Sequence, residues 1–116
     1  DIGGYSTRPG AEEVTEKEEA ERVTFALKTI RQEYPNIPIS IDTFRGNVAR
    51  IAVKEFNVGM INDVSGFELD NDMLNAIDDV HITTIAIHIK HVTVEQHLGV
   101  LLRIRRAVAI DITTCR

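Results

Sequence analysis

What this sequence has little of already narrows its function. A single cysteine, Cys115, occurs in 116 residues, which excludes an internal disulfide and a four-thiolate zinc site. No apolar run approaches the roughly 20 residues needed to span a bilayer. Basic residues are outnumbered, 13 against 18 acidic ones for a net charge of -5, which argues against a general nucleic-acid binder. The chain opens on Asp1 rather than Met, without a signal peptide or basic leader, and so reads as a piece of something longer. The lack of disulfides suits a reducing cytoplasm.

The residues that are present describe one globular domain at most. Hydrophobic residues make up 43% and charged residues 27%, the ordinary balance of a chain that can bury a core. Charge is unevenly spread. Residues 1–80 hold 16 acidic and 8 basic side chains, whereas residues 81–116 hold 2 and 5, together with all four histidines. The composition thus changes near residues 80–90. Residues 1–93 read as one segment, and 94–116 as a divergent stretch of uncertain fold.

Along the chain, apolar strands alternate with amphipathic helices. Thr15 and Glu18 form a capping box, and Ala20, Val23, Leu27, Ile30 and Tyr34 follow on one helical face until Pro35 stops the helix. Ile37–Asp42 reads as a strand. Gly46 and Asn47 open a second helix that turns Val48, Ile51, Ala52 and Phe56 to the core. Val58–Asp63 is the next strand, and Asp70 is placed to cap a short helix running through Ile77. Ile82–His88 is a further strand, Val94–Arg106 a helix and Ala107–Ile112 a strand. This alternation predicts a parallel α/β sheet of βαβ units. Each strand ends in a polar residue: Asp42, then Asn62 and Asp63, then His88, with Asp1 closing a strand cut off by the chain start. Strand C-termini carry the ligands in both (β/α) barrels and open α/β sheets, so either an open sheet or part of a barrel fits.

The loop Gly3-Gly4-Tyr5-Ser6-Thr7-Arg8-Pro9-Gly10 is the most informative stretch. Glycines let backbone N–H groups come close to a ligand, Ser6 and Thr7 offer hydroxyls, and Arg8 offers a planar fork that suits phosphate oxygens. An anion site and a plain turn with a solvated arginine both fit. The glycine spacing is not that of a dinucleotide fingerprint.

The order DIGGYSTRPGA, an acidic helix, ISIDTF and INDVSG resembles dihydropteroate synthase of the pterin-binding barrel family, from Asp1 to about Ile77. The resemblance implies an early-to-middle part of a TIM (β/α)8 barrel. It implies an enzyme that joins 6-hydroxymethyl-7,8-dihydropterin diphosphate to p-aminobenzoate, releasing diphosphate and forming dihydropteroate for folate biosynthesis. Arg8 would contact the diphosphate. Thr7 and Pro9 would shape the aminobenzoate subsite, where sulfonamides also bind. Asp42 and Asn62 would line the pterin pocket, with Asp63 beside them and supporting the pocket from behind. Asp42 would also be catalytic, stabilising positive charge that grows at the pterin CH₂ as C–O cleavage runs ahead of amine attack. Mg²⁺ on the departing diphosphate, and a homodimer at full length, are further expectations of the resemblance. Without it, Asp42, Asn62 and Asp63 would pass equally as turn formers or caps.

The likeness fades toward the C-terminus. In Ile87-His88-Ile89-Lys90-His91, His88 and Lys90 fit the family, but His91 stands where a glycine is usual. The family's Asp-Pro-Gly-x-Gly-Phe strand, Ser-x-Lys motif and Arg-x-His pair are absent, and its Asn-x-Thr-x-Asp-Ser-Phe loop would lie upstream of Asp1. His88, His91 and His97 invite a zinc reading, but no carboxylate stands beside them at ligand spacing, and no metal site is assigned. Arg103, Arg105 and Arg106 suit a solvated helix end. A non-catalytic truncated copy and a pterin-dependent methyltransferase of the same barrel family are the competing functions.

Overall fold

The computed structural model describes residues 1–82 and the strand 84–87 of the 116. They form β1 (Ile2–Gly3), α1 (Glu16–Glu33), β2 (Ser40–Asp42), α2 (Gly46–Phe56), β3 (Met60–Asp63), α3 (Met73–Val80) and β4 (Thr84–Ile87). The helix expected over Val94–Arg106, the strand over Ala107–Ile112, and His88, His91 and His97 lie outside the described residues.

All neighbouring strands pair in parallel, in the order β1-β2-β3-β4. Strand order therefore follows chain order without reversal. A doubly wound open sheet reverses at a switch point, whereas a barrel winds one way around. The described residues are four consecutive strands of such a one-way winding. The register sets Ile2, Ile41, Ile61 and Ile85 in one row and Gly3, Asp42, Asn62 and Ala86 in the next.

Sequence dictates most of the element ends. Thr15 Oγ1 accepts the Glu18 N–H at 3.2 Å while the Glu18 carboxylate accepts the Thr15 N–H at 2.9 Å, so the capping box forms as expected. Val23 and Leu27 are buried, and Ala20 and Ile30 pack partly against the core. Tyr34 does not join them. The helix ends at Glu33, Tyr34 leaves helical geometry at φ -131°, and its side chain is 59% exposed. In α2 the buried stripe is Val48, Ala49 and Ala52, with Phe56 partly covered, while Ile51 is only half-buried.

Pairing in β2 starts at Ser40 rather than Ile37, in keeping with Pro38, which has no N–H for a ladder. Asp70 does not cap α3, whose N-cap is Asp72. One oxygen of Asp70 accepts the Asp72 N–H at 2.9 Å and the other accepts the Gly46 N–H, at the start of α2, at 2.7 Å. A loop residue thus satisfies a donor at the N-terminus of the preceding helix. The core lies between the helices and one face of the sheet, built on Val23, Leu27, Ile41, Val48, Ala52, Ile61, Met73 and Ile77.

Candidate functional site

Side chains alternate across a strand, and burial shows which way each points. Ile41 and Ile61 are fully buried in the helix-facing core, whereas Asp42 and Asn62, one residue on, are half-buried. Asp42 and Asn62 therefore point to the sheet face away from the helices, and they are register partners across β2 and β3. Gly3, next in the row, adds no side chain. Asn62 Oδ1 is buried with no hydrogen-bond partner among the described residues. A buried acceptor left without a donor costs free energy and is well suited to a ligand N–H. At the strand N-termini lies a hollow lined by Asp1, Pro38, Ile39, Ser40, Gly59 and Met60, where the Ser40 hydroxyl donates to Asp1 Oδ1 at 2.6 Å.

Asp63 obeys the same alternation and so points the other way. It is 0% exposed. Its Oδ1 accepts the Ser65 N–H at 2.8 Å and the Ser65 hydroxyl at 2.7 Å, and its Oδ2 accepts the Phe67 N–H at 3.1 Å. Burial raises its pKa above the ordinary carboxylate value; the bonds from Ser65 and Phe67 oppose that rise, and the charge on Asp70 adds to it. Phe67, held by this carboxylate, sits at φ +71°, a strained conformation for a bulky residue. Asp63 thus braces the β3–α3 loop from behind the wall on which Asn62 stands, and shares no face with Asp42.

Thr7, Arg8 and Pro9 lie in the β1–α1 loop, where residues 6–13 are all exposed. The backbone turns at Gly10, φ +80°, and the Ala11 N–H closes onto Arg8 O at 3.0 Å. The Arg8 guanidinium has no hydrogen-bond or ion-pair partner among the described residues, so its donors are available to an anion.

Sequence reasoning missed the cluster under this loop. Glu19, 0% exposed, occupies the buried stripe of α1 beside Val23 and Leu27. Its Oε1 accepts the Thr43 hydroxyl at 2.7 Å, and its Oε2 pairs with Arg45 Nη1 at 2.7 Å. Arg45 Nη2 donates to Val14 O at 2.8 Å. The guanidinium lies 5.1 Å from the centre of the Tyr5 ring and 5.0 Å from that of Phe44, and the two rings meet edge to face at 5.2 Å. The available signal was a glutamate four residues before Val23 on the apolar helical stripe. A charge on that stripe needs a partner.

Among the described residues, no group of three or more His, Cys, Asp or Glu side chains could hold a metal ion. These residues offer no ready cage for Mg²⁺.

The sequence profile of the pterin binding enzymes matches residues 1–110. The chain belongs to that family. It is 46% identical over 90 residues to a dihydropteroate synthase of Synechocystis, an alignment covering 78% of this chain and 30% of the relative. It is 41% identical over 88 residues to that of Clostridium beijerinckii, covering 76% of this chain and 32% of the relative. The chain thus spans about a third of the length of these relatives. The solved Xanthomonas albilineans dihydropteroate synthase with 4-aminobenzoic acid superposes with a TM-score of 0.70 at 29% identity, over 91% of this chain and 43% of that one. For a pterin binding enzyme, the Asp42–Asn62 row lies at the strand ends where barrels bind their ligands.

Proposed function

We propose that this chain carries part of the active site of a dihydropteroate synthase. The enzyme joins 6-hydroxymethyl-7,8-dihydropterin diphosphate to p-aminobenzoate. The observation that carries the reading is the Asp42–Asn62 row: an acid and an amide with an unanswered buried oxygen. A pterin ring presents N–H donors and ring acceptors along one edge, which such a pair can match. A site built this way rejects rings lacking those groups. The family match supports the pterin, and the relative solved with 4-aminobenzoic acid supports the second substrate.

In the reaction, the bond from the pterin CH₂ to diphosphate oxygen breaks and its electron pair leaves with the diphosphate. The aminobenzoate nitrogen lone pair forms the new C–N bond, and the nitrogen then releases a proton. Asp42 holds the ring and stabilises positive charge that develops at the CH₂. Asn62 fixes the ring's orientation. Arg8 meets the diphosphate with a two-pronged contact, and Thr7 and Pro9 shape the aminobenzoate subsite, where sulfonamides compete.

The test is incorporation of labelled p-aminobenzoate by the full-length gene product. Diphosphate-dependent dihydropteroate formation, inhibited competitively by a sulfonamide, is the expected result. Absence of incorporation by a folded, pterin-binding protein would overturn the reading.

A further inference from the structure

Resting on the reading above, we propose that Arg45 is the positioning residue of the Arg8 loop: one guanidinium holds both ends of that loop and ties them to the strand that ends in Asp42.

Residues 6–13 are exposed, and their hydrogen bonds among the described residues are local, from the Arg8 N–H to Ser6 Oγ and from the Ala11 N–H to Arg8 O. The loop is fastened to the body on either side of that stretch. At its start, Tyr5 packs against the Arg45 guanidinium and the Phe44 ring. At its end, Val14 O receives Arg45 Nη2. Gly4 permits the close seat at the start. A Cβ there would come within 3.0 Å of Glu19 Cγ and of Glu19 O, and Arg22 adds a bond of 3.3 Å to Gly4 O.

Arg45 is in turn fixed from below. Its backbone N–H donates to Thr43 Oγ1 at 3.1 Å, and the Thr43 hydroxyl and Arg45 share the buried Glu19 carboxylate. The Thr43 N–H donates to Asn62 O at 3.1 Å. From Asp42 through Thr43 and Phe44 to Arg45 the path is four consecutive residues. One short segment therefore presents the carboxylate proposed for the pterin and sets the distance to the guanidinium proposed for the diphosphate. The planar fork is essential: it meets Glu19 and Val14 while packing against the touching rings of Tyr5 and Phe44. An ammonium can supply the charge without that geometry.

The experiment uses the full-length gene product with Arg45→Lys, which leaves Glu19 a cation, and Tyr5→Leu, which leaves the glutamate pair intact. Hydrogen exchange is read at amides 4–14 and, as a control, in α1. Kinetics and bare-pterin binding are read beside it. Both variants are expected to speed exchange at 4–14 while α1 stays protected. They should raise KM for the pterin diphosphate and leave the Kd of a pterin lacking diphosphate unchanged. A displaced loop is expected to lower kcat/KM by up to about 10²-fold, the scale of a 1 Å misplacement. Unchanged exchange at 4–14 in both variants would overturn the proposal, as would equal loosening of α1. If the parent protein forms no dihydropteroate, the functional reading fails, and the exchange arm still decides the role of Arg45.

Discussion

Asp42 and Asp63 are the same residue type at equivalent strand ends, yet their surroundings give them opposite work. Asp42 faces the open side of the sheet. Asp42→Asn keeps its shape and removes a charge, so the loss is expected mainly in kcat, at about 10²–10³-fold for one preorganised electrostatic group. Arg8→Ala is expected to raise KM for the pterin diphosphate and to spare binding of the bare pterin. Steady-state kinetics and calorimetry check both, and bare-pterin binding lost in Arg8→Ala would refute the division. Asp63 is a stability residue. Its folded pKa lies above the unfolded value of about 3.9, so its contribution is fully present below that value and is lost as pH rises through the folded one. Asp63→Asn sets an amide donor against backbone donors and is expected to destabilise by about 1–3 kcal/mol. The gap between parent and variant should narrow with rising pH in urea titrations. A gap that widened would contradict the assignment. The polar strand ends were legible from sequence. Which of Asn62 and Asp63 faces outward follows from strand parity once Ile61 is known to be buried, and burial is a tertiary fact.

At the scale of elements, the capping box of α1 could be read directly, because its partners stand three residues apart. The cap that Asp70 gives α2 could not, since donor and acceptor are 24 positions apart. Arg31 is a second long-range tie. Its guanidinium donates to Phe56 O at 2.8 Å, Asn57 O at 3.0 Å, Ile37 O at 2.7 Å and Pro35 O at 3.2 Å. It thereby joins the end of α1 to the end of α2 and to the lead-in of β2, where helix C-termini favour a cation. Arg31→Met keeps the stem and leaves those carbonyls without their donor. Chemical denaturation is expected to register a loss of about 1.5–3 kcal/mol, and Arg31→Lys should restore only part of it. Full recovery with lysine would mean that charge alone matters at this junction.

For the whole molecule, the alternation of strands and helices made the parallel α/β class legible, and strand order then separates a barrel-type winding from an open doubly wound sheet. The order of strands is a consequence of packing, which no local pattern encodes. Among the described residues the helices cover one sheet face, while the face bearing Asp42 and Asn62 is open and β1 and β4 each keep an edge without a partner strand. Such edges invite pairing with other chains. The 116-residue chain expressed by itself is expected to self-associate and to incorporate no aminobenzoate above blank, because one wall cannot hold both substrates in reacting geometry. A monodisperse monomer in sedimentation, or measurable turnover, would count against this.

The exposed stretch 6–13, fastened only beyond its ends, has a consequence for inheritance. Little of the folding free energy depends on what its side chains are, so mutation there is screened by chemistry rather than by protein quality control. Variants at Thr7 or Pro9 are expected to accumulate in cells at normal abundance, since surface changes away from caps and cores usually shift stability by within about 0.5 kcal/mol. Variants at Glu19 or Gly4 are expected to be depleted. A saturation library scored separately for abundance and for growth without folate would show the two screens parting at Tyr5 and meeting again at Val14. A drug lodged against this stretch would therefore face a target restrained by its chemistry but not by the stability of the fold.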